Sequence, residues 1–290
     1  MGDALIARAT RSTRVETPDA GLEAIEIRLL LEGIRLCYGY DFREYASRPL
    51  RRSIVDSMAA EGVSTISAYQ DRILHDASCM HRFLGTAGVS VTGMFREATL
   101  LRCIREEVIP VLRTYPSVRI WVVGCATGEE VYSLAIALEE EGILRRASIY
   151  ATDLNEDTLA VARTGAYPLD RVRSYEDAYV GSGGRGKLSD HYSVSGRSAR
   201  FHRNLQTKIT WARHNLVTDA SFNQFHLIIC ANVLIYFRPS LQEHAHRLFF
   251  DSLIPSGFLA LGKGESLVFS PESSRYQQVR NGVSLFRKIR

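Results

Sequence analysis

Several absences narrow the field before any motif is read. The five cysteines, Cys37, Cys79, Cys103, Cys125 and Cys230, include no C-x-x-C pair. Odd in number and widely scattered, they argue against a disulfide framework and against a zinc knuckle, and they suit a reducing cytoplasm. No apolar run approaches the length of a membrane span. The N-terminus, punctuated by Asp3, Arg8, Arg11, Arg14 and Glu16, offers no signal-peptide hydrophobic region. Met1-Gly2 invites a myristoylation reading, but Ile6 stands where that motif needs Ser or Thr. The formal charge of +4 is too small to imply nucleic-acid binding without a basic stripe, although it is compatible with an acidic protein partner.

What is present is an ordinary globular composition, 46% hydrophobic and 23% charged over 290 residues, enough to bury a real core. Residues 1–20 lack sustained periodicity and read as a loose tail. From Leu22 to Leu84 apolar residues recur at helical spacing, as in Ile25, Leu29, Leu30 and Ile34, with breaks expected near Gly39, Pro49 and Gly62. This predicts a small helical domain over 21–88. Phe95 to Leu112 again reads as helix. At Val118 the texture changes to short apolar runs alternating with helical patterns: strands at 118–123, 148–152, 209–212, 225–230 and 258–261, with helices near 131–138, 156–163 and 239–253. Alternation of this kind predicts a doubly wound α/β sheet over 89–290. One stretch, about 167–205, is rich in Gly, Ser, Arg and Tyr and too long for a plain connection, so it is an inserted subdomain or a mobile loop.

The strongest local signal is Gly124-Cys125-Ala126-Thr127-Gly128-Glu129-Glu130, a strand running into a Gly-x-x-x-Gly turn and a helix start. The turn lets a ligand approach the backbone at the carboxyl end of a strand. Its spacing differs from G-x-G-x-x-G, and two acids sit where a pyrophosphate would need positive potential, so a ligand carrying a cation is the better fit. Glu129 is the stronger candidate of the two, and Glu130 reads more simply as a helix-dipole partner. Asp153, at the tip of the next strand, is placed to accept hydrogen bonds from ribose hydroxyls, or else to cap the following helix, a task Asn155 could perform equally well. Both sites together suit an adenosine ligand with a sulfonium better than a dinucleotide. His75, Cys79 and His81 lack a fourth ligand at usable spacing for zinc, and His244 and His246 read as solvated. Arg43, Arg48, Arg51 and Arg52 read first as a solvated helix face.

Five ordered segments carry a resemblance: Val91-Thr92-Gly93-Met94-Phe95-Arg96, Gly124 to Ser133, Ala151-Thr152-Asp153-Leu154, Asn215-Leu216, and Cys230-Ala231-Asn232-Val233-Leu234-Ile235-Tyr236-Phe237. In this order they resemble the motifs of the CheR family, the chemotaxis receptor glutamate methyltransferases, from about Glu26 to the C-terminus. The resemblance implies a Rossmann-like S-adenosylmethionine-dependent methyltransferase domain, a small N-terminal all-α domain and an inserted β subdomain. It also implies S-adenosyl-L-methionine as cofactor, with S-adenosyl-L-homocysteine as product. By the same resemblance Ser90, Thr92, Arg96, Gly124, Glu129, Asp153, Asn215, Leu216, Ala231 and Asn232 are cofactor-binding positions, and Arg96 and Tyr236 are catalytic. The implied partner is the cytoplasmic helical domain of a chemoreceptor or similar signalling protein, docked on the arginine-rich face. The chain is expected to be a cytoplasmic monomer without nucleic-acid binding or membrane insertion. Ser90 stands where the family has Asn, Met94 where it has Phe, and Ala231 where it has Arg.

Overall fold

The computed structural model describes residues 20–87 and 92–289. Residues 1–19 of the stretch read as a tail and the candidate Ser90 lie outside the described residues, and Ala20 opens the first helix.

Helices α1 (Ala20–Tyr38), α2 (Ser47–Glu61), α3 (Ile66–His75) and α4 (Ala77–Ala87) form a bundle in which α1 packs on α3 and α2 on α4. Their apolar stripes meet in a core of Leu30, Ile34, Ile54, Tyr69, Ile73, Met80 and Phe83, as amphipathic spacing requires. Gly62 ends α2 in the left-handed conformation, and the Thr65 side chain accepts the Ala68 N–H (3.2 Å) to cap α3. Pro49 does not break the chain as expected. It sits in the first turn of α2, where its missing N–H is not needed, and the first helical bond runs from Leu50 to Ala46. The segment expected to be helical from Phe95 starts later, as α5 (Ala98–Cys103), a wide π turn over Ile104–Val108 and α6 (Ile109–Leu112) containing Pro110.

The sheet comprises β1 (Val118–Val123), β2 (Ala147–Asp153), β6 (Ile209–Arg213), β7 (Phe225–Cys230), β8 (Leu253–Leu261), β9 (Tyr276–Gln278) and β10 (Leu285–Lys288), in the order β6-β2-β1-β7-β8-β10-β9. The first five are parallel, and β10 runs antiparallel to β8 and β9. Helices α7 (Glu129–Glu140), α8 (Glu156–Thr164) and α12 (Pro239–Ser252) cross between strands. Ile120 and Val122 of β1 enter one core cluster and Trp121 and Val123 the other. A strand covered on both faces reads as a continuous apolar run rather than an alternating one. Strand order reverses between β1 and β7, the switch point where parallel sheets bind ligands.

Between α8 and β6 lie β3 (Ala166–Pro168), α9 (Leu169–Arg173), α10 (Glu176–Gly181), β4 (Tyr192–Ser195), β5 (Ser198–Phe201) and α11 (Arg203–Gln206). The three strands form a separate antiparallel sheet, β3-β5-β4. The region is folded and anchored: Tyr179, Leu188, Phe201 and Leu205 enter the core that contains α7. Glu140 accepts the Tyr179 hydroxyl, the Arg105 guanidinium (2.5 Å) and the Arg185 N–H (3.1 Å). His246, expected to be solvated, is 1% exposed, with neither ring nitrogen hydrogen-bonded, and burial lowers its pKa to about 4; His244 is exposed.

Candidate active site

The carboxyl ends of β1, β2 and β7 converge on a cleft enclosing about 850 Å³ of atom-free space, partly open to solvent. Gly124, Asp153, Asn215, Leu216, Asn232 and Tyr236 all line it. Asp153 is held by the N–H groups of Ala126 (2.8 Å, on Oδ2) and Asn155 (2.9 Å, on Oδ1). Burial raises its pKa and these bonds oppose the rise. Asn155 performs the helix capping, its side chain accepting the Asp157 N–H (2.9 Å). Asp153 therefore keeps acceptor capacity for a ligand. Apolar surfaces from Leu216, Val233 and Phe237 complete a cleft suited to a base and a polyol.

A smaller cavity adjoins it, lined by Thr92, Arg96, Glu97, Glu130, Ala231 and Asn232, and shares Gly124, Ala126 and Asn232 with the first. Of the four non-glycine residues with positive φ among the described residues, Ala126 (46°) and Asn232 (61°) line it and Phe95 (54°) directly precedes Arg96. Such strain persists only where the surroundings enforce it. Phe95 is locked by its buried ring against Tyr179 and by its N–H on Ser133 Oγ (2.9 Å), which sets Arg96 at the cavity wall. Asn232 Nδ2 donates to Glu97 (3.1 Å).

The glycine turn and its two acids depart from expectation. Gly128 lines neither cavity. A Cβ there would meet Ala162 of α8 and Trp211 of β6 within 3 Å, so its absent side chain lets these elements pack closely against the turn. Gly124 does line the cleft, but at φ +64°, and its Cβ would strike Val233. Glu129 lines neither cavity and is 1% exposed; it accepts the Thr127 hydroxyl (2.6 Å), and the Arg171 guanidinium lies 3.1 Å from Oε1 without hydrogen-bond alignment. Arg171 in turn donates to the Thr92 carbonyl (2.6 Å), linking the inserted subdomain to the site. Glu130, read as a dipole partner, lines the cavity together with Glu97. Burial, reinforced by Glu97 and Glu265, raises its pKa to about 7.

Glu265, not singled out in the sequence, organises the loop after β7. Its Oε1 accepts the N–H groups of Val233 (2.9 Å), Leu234 (2.8 Å) and Ile235 (3.3 Å), and its Oε2 those of Asn232 (3.0 Å) and Gly262 (2.7 Å). An acid inside Gly262-Lys263-Gly264-Glu265 just past a buried strand was the available signal. Tyr236 follows this loop, and its pKa is raised by burial against the opposing field of Arg96. On the arginine face, Arg43 pairs with Asp41, Arg51 with Glu23, and Arg52 lies 3.8 Å from Asp56, so much of that charge is neutralised locally.

Comparison with known proteins agrees with this architecture. Residues 25–86 match the all-alpha domain of the CheR methyltransferases, and residues 90–283 match their SAM-binding domain. Cher3 of Pseudomonas putida, named provisionally as a methyltransferase, is 43% identical over 264 residues, covering 91% of this chain and 97% of that protein. An uncharacterised 104.1 kDa protein of Rhodobacter capsulatus is 29% identical over 281 residues, 91% of this chain but 29% of its own length. A chemotaxis protein methyltransferase of Listeria innocua is 28% identical over 232 residues, covering 79% of this chain and 86% of that protein. Because the match runs through both the helical bundle and the sheet that carries the cleft, the chain belongs to the CheR methyltransferase family and its sheet domain binds S-adenosylmethionine.

Proposed function

We propose that this methyltransferase esterifies glutamate carboxylates on the helical cytoplasmic region of a chemoreceptor or similar signalling protein. The observation that carries the reading is the continuity of two cavities through Gly124, Ala126 and Asn232, one containing Asp153 and the other Arg96. Asp153, Asn215 and Leu216 would hold the adenosine part of the cofactor, and Glu130, rather than Glu129, would face its cationic end. When bound, S-adenosylmethionine supplies a methyl group on a positively charged sulfur. A glutamate acceptor, with reference pKa about 4.3, is ionised at neutral pH and needs no general base. The protein's task is then placement in a water-poor site. Arg96 would orient the carboxylate and Tyr236 would close the approach. We assign partner selection to the insert at 167–205, and treat 21–88 and 89–290 as the two domains.

A second reading is favoured by one feature. With alanine at 231, the cavity around Arg96 contains two carboxylates, Glu97 and Glu130, a poor field for an incoming anion. An impaired or retargeted methyltransferase fits that electrostatic balance. Incubating the protein with labelled cofactor and receptor fragments separates the two: base-labile methyl release supports glutamate esterification, whereas base-stable label or none rejects it.

A further inference from the structure

The helical bundle forms part of the wall of the cofactor cleft. Phe42, Tyr45 and Leu84 line the same cavity as Asp153 and Leu216. The segment between α1 and α2 is fastened to the chain that follows the Glu265-held loop. Tyr45 and Phe237 form an antiparallel bridge, Ala46 N–H donates to the Tyr236 carbonyl (2.7 Å), and Arg238 N–H donates to the Glu44 carbonyl (2.9 Å). The Tyr45 ring is set edge-on against both Phe42 and Phe237, with centroids 5.0 Å from each. A ring so clamped has little freedom left to lose on binding a ligand.

Its hydroxyl has no hydrogen-bond partner among the described residues, although a tyrosine hydroxyl in a half-buried site ordinarily finds one. Burial raises the Tyr45 pKa and the Asp153 carboxylate adds to the rise, so the group stays protonated at neutral pH and can donate. Asp153, when ionised, can only accept. A vicinal diol needs both kinds of partner.

We propose that Tyr45 is a cofactor-binding residue supplied by the helical bundle, its hydroxyl hydrogen-bonding the ribose of the adenosine ligand in the cavity it shares with Asp153. This rests on the assignment of Asp153 to the ribose. Binding would then draw on both domains.

Calorimetry on the full chain tests this, with S-adenosylhomocysteine and its 2′,3′-dideoxy analogue as probes. Tyr45→Phe keeps the ring and removes the hydroxyl, and should weaken S-adenosylhomocysteine binding about fivefold to tenfold while leaving the analogue's affinity unchanged. Unchanged affinity for S-adenosylhomocysteine overturns the proposal, and so does an equal loss for both ligands, which would assign the effect to wall packing. If Asp153→Ala binds as tightly as the parent, the ribose assignment beneath the proposal fails, and the two failures are distinguishable.

Discussion

The Glu265 carboxylate accepts the backbone N–H of Asn232 at 3.0 Å, and Asn232 passes its side-chain amide on to Glu97. One buried acid thus holds a left-handed residue and, with its other bonds, the start of the turn leading to Tyr236. Glu265→Gln replaces one acceptor oxygen with a donor facing N–H groups. Lost bonds to a charged acceptor cost about 1.5–3 kcal/mol each, so a lower melting temperature and a fall in kcat larger than the change in cofactor KM are expected. Parent-like kinetics in this variant would show that the loop holds its shape without the carboxylate.

Asp153→Ala removes the acceptor at the tip of β2. Affinity for S-adenosylhomocysteine should fall by about 1.5–3 kcal/mol, roughly tenfold to a hundredfold, as measured by calorimetry. The accompanying loss of the bonds from Ala126 and Asn155 should also lower the ligand-free melting temperature.

Glu130 has its pKa raised to about 7, so the folded chain keeps it neutral well above the pH at which the unfolded chain ionises it. The associated stability is complete below about 4.5 and is lost as pH rises toward 7. Glu130→Gln should therefore match the parent at pH 4 and exceed it at pH 8 by about 3 kcal/mol, a difference visible in thermal melts. The same change should weaken cofactor binding, since the acid faces the cavity. Equal melting shifts at both pH values would remove Glu130 from the titrating groups that matter.

Ala231 leaves a methyl group where an arginine fork would meet an incoming carboxylate. Ala231→Arg should raise methylation of receptor glutamates by roughly tenfold, and it should lower the Glu130 pKa by adding a cation to the cavity. A restored arginine that shifts the pH profile without raising turnover would favour an altered substrate over an impaired enzyme.

The inserted subdomain cannot be deleted cleanly, because Tyr179, Phe201 and Leu205 belong to the core around α7. Its hairpin tip offers a better probe: Val194 on β4 is 54% exposed. Val194→Asp should spare cofactor affinity and reduce capture of receptor fragments several-fold if the insert selects the partner. Undiminished capture would move the docking surface elsewhere.

The sequence alone determined the elements whose signals are local. Apolar runs at β1, β2 and β7, the turn from Gly124 to Gly128 and the acid ending β2 are set by neighbours within a few residues, and five such local motifs in order, from 91–96 to 230–237, carried the resemblance to the family. Strands β9 and β10 escaped because their stability comes from pairing, β10 with β8 and β9 at the sheet edge with β10, rather than from their own short patterns. Tertiary structure alone decided which acid lines the cavity: Glu129 and Glu130 are consecutive on one helix, about 100° apart around its axis, and only the position of α7 against the sheet buries one and turns the other to the cavity wall. It also brought Tyr45 from the helical bundle to the cleft wall and Glu265, from beyond β8, to the loop that carries Asn232 and Tyr236. Tyr45 carries no local signal of that role, and Glu265 carries only its place in a glycine-flanked turn past a buried strand, because the free energy of each contact arises from chain segments that only folding makes adjacent.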